Sequence, residues 1–274
     1  MIEIKNLSFN YPGSKHNIFN NFNLSLKKNC IYGLLGKNGT GKSTLLYLIA
    51  GLLIPKKGTI IVNTFESRKR QPQLLRELYV VPEEYNLPNL TLKQYIKIHK
   101  DFYPNFSVEI LYKCIEGFEM DFINNFKELS MGQKKKIYMS FAIASCCKLL
   151  LMDEPTNGLD IPSKSLFRKV IAANLSNDST LIISTHQVHD IEQLLDHILI
   201  LNNSKLLLNA NTEEITQQYE FTYRHTIDMD DTVIYSEPTL QGNAVIAKRS
   251  PNADETNINL ELLFNAIVSN NLEI

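Results

Sequence analysis

Neither sign of charge dominates this sequence: 28 lysines and arginines stand against 29 aspartates and glutamates, a formal net charge of −1 over 274 residues. That balance argues against a general polyanion binder, which needs a basic surplus. Cysteine is scarce as well. The four present (Cys30, Cys114, Cys146, Cys147) show no C-x-x-C spacing and no companion histidine cluster. Neither a disulfide framework nor a zinc site is expected, and the thiols, the adjacent pair included, read as core packing in a reducing compartment. Long apolar runs are missing too: the longest, LLYLIAGLLI (Leu45–Ile54), is about half of what a bilayer crossing needs. The opening MIEIKNLSF alternates apolar and polar residues and follows no signal-peptide pattern. There are no tandem repeats and no low-complexity tracts. These absences predict a cytoplasmic, soluble chain whose membrane role, if it has one, comes from another polypeptide.

What is present is material for a large core, 44% hydrophobic residues, enough for two compact units or for one domain with an appendage. Ile2–Phe9 and Asn23–Leu26 fit period-two strands. Cys30–Leu35 is a short apolar run that passes into GKNGTGKST and then an apolar stretch of helical length. A turn at Pro55 and Gly58 leads into another strand, TIIVN. Glu77–Val81 reads as a strand and Leu92–Asp101 as the start of a helical region. Lys148–Met152 and Thr180–Ser184 are further buried strands separated by a helical pattern. Such alternation indicates an α/β domain with a largely parallel sheet. Ile198–Leu201 and Lys205–Leu208 suggest a hairpin across Asn202-Asn203-Ser204. After Tyr219 the texture changes to VIYSE, GNAVIAKR, the polar loop SPNADETN and LELLFNAIV, which read as two or more strands and one amphipathic helix, a small α+β appendage.

The strongest chemical signal is Gly36-Lys-Asn-Gly-Thr-Gly41-Lys42-Ser43, which fits the phosphate-loop pattern G-x-x-x-x-G-K-[ST] between a strand and a helix. Glycines let the backbone curl so that successive N–H groups point at phosphate oxygens, and the helix N-terminus adds its positive end. Lys42 supplies a charge to the β- and γ-phosphates, and the Ser43 hydroxyl is suited to magnesium. The second signal, LLLMDEP (Leu149–Pro155), brings Asp153 and Glu154 to the C-terminal edge of a strand, the usual ligand crevice of open α/β sheets. Alone, a strand ending in two carboxylates fits helix capping equally well. In one domain with a phosphate loop, Asp153 suits the magnesium shell and Glu154 the activation of the attacking water. Third, IISTHQ ends a strand on His186, positioned to hydrogen-bond a terminal phosphate. His189 and His197 are assigned to the following helix as bystanders. In ELSMGQKKK, Lys134–Lys136 open a helix Lys134–Ser145 and read as solvated or close to a partner's nucleotide; three lysines in a nearly neutral chain make no nucleic-acid site.

In this order the motifs resemble the nucleotide-binding domain of ATP-binding cassette (ABC) proteins, over Met1 to about Tyr219. GKNGTGKST is similar to the Walker A motif, LLLMDEP to Walker B with its catalytic glutamate, and THQ to the segment carrying the switch histidine. NGLD is similar to the D-loop, and LSMGQ (Leu129–Gln133) to the signature LSGGQ. The resemblance implies a P-loop NTPase cassette with a RecA-like core, an antiparallel β subdomain and a helical subdomain over about 87–145, within a unit 1–219 followed by an accessory segment 220–274. It implies ATP and Mg2+ as cofactors, with nucleotide contacts from Tyr11 (stacked on adenine), Gly36, Asn38, Gly39, Thr40, Gly41, Lys42, Ser43 and Thr44. Catalysis falls to Glu154, His186 and Lys42, and the metal to Ser43, Asp153 and Glu83. Ser130, Met131, Gly132 and Gln133 would serve the ATP of a second cassette, with Asp160 linking the two sites. The sequence departs from the family at two positions: Met131 replaces the first signature glycine, and Glu83 stands where a glutamine is usual, with Glu84 a second candidate.

The leading reading is the ATPase subunit of a membrane exporter, held at the inner face of the cell membrane by separately encoded permease chains and paired with a second cassette, without nucleic acid. Export is suggested by the Pro82-Glu83-Glu84 loop and by the ending NLELLFNAIV, both similar to bacterial export-type cassettes. The permease-facing region in the family corresponds to Leu87–Phe126, which carries Tyr95, Phe102, Tyr103, Phe106, Tyr112, Phe118 and Phe122. The alternative is a soluble cassette ATPase without a permease, such as a cluster-assembly or ribosome-associated factor. One Walker A argues against two-cassette ribosomal members, and the spacing from Lys42 to Ser130 leaves no room for the coiled coil of DNA-repair members. A non-hydrolysing scaffold would lack Glu154 or Lys42.

Overall fold

The computed structural model describes residues 1–84, 87–120, 125–240, 242–250 and 254–272. Its centre is a six-stranded sheet of β3 (Ile31–Leu35), β6 (Leu78–Val81), β7 (Leu149–Asp153), β8 (Thr180–Thr185), β9 (His197–Asn202) and β10 (Lys205–Asn211), in the order β10-β9-β3-β8-β7-β6. All neighbours are parallel except the β9–β10 hairpin. The hairpin turns at Asn203 and Ser204, both in the left-handed region that short polar residues tolerate in tight turns. Strands β7 and β8 are buried at every position, and β3 and β9 at all but their end residues, because both faces are covered, and their alternation feeds two separate cores. Leu150, Met152, Leu181, Ile183, Ile198 and Ile200 point into one, and Leu149, Leu151, Ile182, Leu199 and Leu201 into the other.

The second of these cores is closed by α1 (Lys42–Ile49) and by an antiparallel sheet of β1 (Ile2–Phe9), β2 (Phe19–Leu26), β4 (Lys57–Val62) and β5 (Phe65–Glu66), ordered β2-β1-β4-β5. Strand β2 begins at Phe19, earlier than Asn23, because Phe19 pairs with Phe9 and is itself fully buried. A short helix α2 (Pro72–Leu75) leads into β6. The first core is covered by α3 (Leu92–Phe102), α4 (Val108–Gly117), α5 (Met131–Ala144) and α6 (Ile161–Asn174). The aromatic residues of the helical region divide. Phe106 and Phe118 are buried, Tyr95 and Tyr103 pack against the core, and Phe102 and Tyr112 are exposed, as is Ile98. Phe122 lies outside the described residues.

Three further parts of the chain differ from the sequence reading. Helix α5 starts at Met131, not Lys134, because Ser130 and Gln133 form a capping box: the Ser130 hydroxyl accepts from the Gln133 N–H, and the Gln133 side chain accepts from the Ser130 N–H. His189 and His197 are not on a helix. His189 lies in the 3-10 turn Val188–Asp190 and His197 starts β9. Tertiary anchors override the helical pattern there: Asp190 pairs with Lys164 at 2.8 Å, and Asp196 accepts from the Ile31 N–H at 2.8 Å. Beyond α7 (Thr212–Gln218) comes a third sheet, β11-β13-β12, from β11 (Tyr219–Arg224), β12 (Val233–Thr239) and β13 (Gly242–Lys248), followed by α8 (Leu260–Val268). The sequence reads two or more strands and one helix here; the runs it names correspond to β12, β13 and α8, and β11 is the further strand. Helix α8 packs its Leu262, Leu263 and Ile267 into the first core.

Candidate functional site

Three adjacent strands of the central sheet, β3, β8 and β7, end at the same edge, with Leu35 opposite Thr185 and Asp153 opposite Ser184. Topology therefore gathers residues far apart in sequence. The phosphate loop leaves β3, Asp153 and Glu154 close β7, and His186 follows β8. Between β3 and α1, Gly41 adopts φ 101°, open to glycine at no steric cost, and serves as N-cap of α1. At Gly36 a Cβ would sit 2.6 Å from both the Leu201 carbonyl and the Thr40 hydroxyl, so the loop closes only around a bare backbone.

The edge forms a cleft of about 440 Å3 lined by Tyr11, Asn38, Gly39, Gly41, Lys42, Ser43, Thr44, Glu83, Glu154 and His186. Gly36 borders a neighbouring groove with Asn38, His186 and Phe264, the last from α8. The Thr40 hydroxyl donates to the Lys37 carbonyl and braces the loop. Tyr11 stands at the rim, its phenol 3.0 Å from the Thr44 hydroxyl and its ring edge-on to Phe9.

Lys42 is 6% exposed and donates to the Gly36 carbonyl at 2.8 Å and the Lys37 carbonyl at 3.3 Å. Its ammonium lies 3.5 Å from the Glu154 carboxylate. That carboxylate also receives Nδ1 of His186 at 2.9 Å. An ionised carboxylate only accepts, so Nδ1 carries the proton in this arrangement. Glu154 itself has φ 45°. A non-glycine residue there costs on the order of 1–3 kcal/mol and persists only where its surroundings over-determine it, a pattern that clusters at functional sites.

Asp153 is buried beneath the cleft. Its Oδ1 accepts from the hydroxyls of Ser43, at 3.0 Å, and Ser184, while Oδ2 has no hydrogen-bond partner among the described residues. An orphaned buried carboxylate oxygen beside a serine hydroxyl is a hard oxygen set that fits Mg2+, an ion usually held by one or two carboxylates together with phosphate oxygens. Glu83 lies at the cleft rim, exposed, accepting from the Asn157 side chain at 2.9 Å. Asp160 caps α6, accepting from the Ser163 N–H at 2.9 Å, and its hydrogen bonds from Ser163 hold it below the usual carboxylate range.

Ser130, Met131, Gly132 and Gln133 do not line this cleft; they sit at the N-terminus of α5, with Met131 67% exposed. The Ser130 hydroxyl accepts within the capping box, which leaves its proton to donate outward.

Three contributors escape the sequence. Ser184 fixes Asp153 from β8, and its hydroxyl also lies 3.3 Å from the Glu154 N–H. The Tyr47 phenol, one helical turn after Ser43, is pushed up to about 12 by burial first and by the nearby Asp153 carboxylate second. Lys135 is 6% exposed, not solvated, and donates to the main-chain carbonyls of Glu154 at 2.7 Å and Asn157 at 2.8 Å. Only the Ser184 and Tyr47 placements had a usable signal, the strand alternation and the four-residue spacing on α1.

The sequence matches the ABC transporter family over residues 19–157. It is 28% identical over 220 residues to the ABC transporter ATP-binding protein YtrB of Bacillus subtilis, covering 80% of this chain and 75% of that protein. It is 31% identical over 232 residues to the lantibiotic transport ATP-binding protein SrtF of Streptococcus pyogenes, covering 78% of this chain and 95% of the other. A solved ATP-binding subunit of an ABC transporter shares the fold, with a TM-score of 0.68 at 23% identity over 78% of this chain and 91% of that one. The chain belongs to the ABC transporter family, as an ATP-binding subunit with the P-loop cassette fold. Among the described residues, no helix is long and apolar enough to cross a membrane.

Proposed function

We propose that this chain hydrolyses ATP to ADP and phosphate and powers export through separately encoded permease chains, closing against a second cassette on ATP and opening after hydrolysis. The observation that carries the reading is the separation of the two halves of the machinery. Lys42, Ser43, Glu154 and His186 meet in one cleft, whereas the signature residues Ser130–Gln133 form an exposed helix terminus outside it. A helix N-terminus is an anion site, and here it would complete the ATP enclosure of a partner cassette. Lys42 and the loop amides bind the phosphates, Thr44 and Tyr11 the nucleoside side, and Glu154 takes the proton of the attacking water while His186 holds its carboxylate. Bound at Ser43 and Asp153, with Glu83 at the rim, magnesium would neutralise charge on the transferring phosphate. Residues 1–219, with a helical part over about 87–145, form the ATP-binding unit, and 220–274 an accessory segment. The exposed Ile98, Phe102 and Tyr112 support permease docking on the helical part. Cytoplasmic placement, peripheral at the inner face of the membrane, follows from that docking.

The test combines chemistry and partnership. Purified with its partners from detergent-solubilised membranes, the chain should bring down a multi-span protein and show magnesium-dependent turnover. Glu154→Gln should lower kcat by about 100-fold or more, the range of general-base loss, while keeping MgATP and dimerising on it. Recovery of ribosomes or soluble assembly proteins instead would overturn the transport reading, and a silent wild type with a monomeric Glu154→Gln would overturn the ATPase mechanism.

A further inference from the structure

Of the three lysines after the signature, Lys134 and Lys136 are half-buried and Lys135 is buried. The two carbonyls that Lys135 contacts bound a single turn, Glu154-Pro155-Thr156-Asn157, which the Asn157 N–H closes onto the Glu154 carbonyl at 3.2 Å. Proline is favoured at the second position of such a turn. The same ammonium thus grips both ends of the segment by which the chain leaves β7. The Asn157 side-chain amide in turn donates to Glu83 at 2.9 Å. The Glu154 backbone, in its left-handed conformation, is over-determined by these contacts together with its N–H bond to the Ser184 carbonyl at 3.0 Å.

A buried ammonium is an expensive way to fill this space. Burial pulls the Lys135 pKa down, against the opposing pull of the Glu83, Glu154 and Asp153 carboxylates. An aliphatic side chain would avoid that cost but could donate to neither carbonyl. The lysine also stands little more than one helical turn from the Ser130 N-cap, on the same rigid helix.

We propose that Lys135 is a positioning residue for hydrolysis, setting the main chain that aims the Glu154 carboxylate and tying that setting to the signature terminus at Ser130–Gly132. The inference rests on the ATPase reading above. A displacement of α5, when its N-terminus engages the partner's nucleotide, is then passed through one side chain to the glutamate serving this chain's own nucleotide. The two ATP sites of a pair are coupled through each subunit.

Lys135→Met, Lys135→Gln and Lys135→Arg in the full-length chain test this. The methionine variant should lose about 10- to 100-fold in kcat with KM for MgATP within about threefold, the signature of a misplaced group acting only in the transition state. Glutamine or arginine, which can donate to carbonyls, should recover most of the loss. By hydrogen exchange, the amides of residues 154–160 should exchange about tenfold faster in the methionine variant, with residues 36–44 unchanged. Retention of kcat within about twofold in the methionine variant would overturn the proposal. So would equal losses in all three variants, or unaltered exchange at 154–160. A wild type without turnover would sink the ATPase reading instead, while the exchange data still decide whether Lys135 holds the turn.

Discussion

Ser130 and Met131 are neighbours with different obligations. Ser130 is committed to the capping box, a device worth about 1 kcal/mol, and its hydroxyl keeps a proton for an outside acceptor. Met131 is the first residue of α5, is exposed, and has no positive φ. The glycine usual in the family is therefore not required here by backbone conformation. Gly132 retains an open face, since a Cβ built there would meet only Leu159 at 3.9 Å. Met131→Gly should accordingly leave kcat unchanged within about twofold, or raise it, with a helix cost under about 1 kcal/mol. Steady-state turnover with a parallel thermal melt measures both. A tenfold loss of kcat would assign the methionine a contact in the closed pair. Lys135 marks the limit of legibility at this scale. In ELSMGQKKK three identical side chains are indistinguishable by type, and only the phase of α5 against the turn after β7 decides which one is buried.

The helical elements hold a titratable group in their core. His99 on α3 donates from Nδ1 to the Tyr95 carbonyl at 3.1 Å, so Nε2 is left to accept from the Tyr79 phenol at 3.1 Å. Phe141 packs against it at a tilt and Tyr103 stacks on it. Desolvation, only partly offset by the bond to Tyr95, lowers its pKa below that of free histidine. Between the lowered folded value and the unfolded value near 6.5, the unfolded chain binds more protons, so stability rises with pH across that window. The contribution is complete above the unfolded pKa and declines as pH falls towards the folded one. Thermal midpoints taken from pH 7.5 down to 5.5 should drop, and His99→Gln, which keeps a donor and an acceptor but does not titrate, should flatten that slope. An identical slope in the variant would place the titration elsewhere. Elements were most readable where burial is two-sided: β3, β7 and β8 announce themselves as apolar runs, and the phosphate loop needs only local geometry. The reading failed where tertiary anchors set the conformation. Asp190 and Asp196 break the apparent helix around His189 and His197, and β11 exists because it pairs with β13, whose sequence lies some 20 residues on.

At the scale of the molecule, the proposed division of the ATP site between the cleft and the Ser130 helix terminus makes a prediction about stoichiometry. If two copies of this chain pair head to tail, each enclosure takes Lys42 from one copy and Ser130 from the other. Lys42→Ala alone disables both enclosures of a homodimer, and so does Ser130→Arg, which places a bulky cation at the helix terminus. Mixed, the two variants regain something neither has. In the heterodimer both lesions fall in one enclosure, and the other combines an intact Lys42 with an intact Ser130. Random exchange makes half the dimers mixed, each with one of its two sites whole, so about a quarter of wild-type sites return. Turnover of the mixture should therefore approach about a quarter of wild type if the sites act independently, and less if both must fire together. The Lys135 link favours the second outcome, because a damaged enclosure would also withhold its pull on α5 and hence on the remaining Glu154. A mixture no more active than the average of its components would mean either that both enclosures must fire together or that the signature of this chain serves a different cassette. In the latter case the same experiment, repeated with the co-purified partner cassette carrying the complementary lesion, should restore the activity.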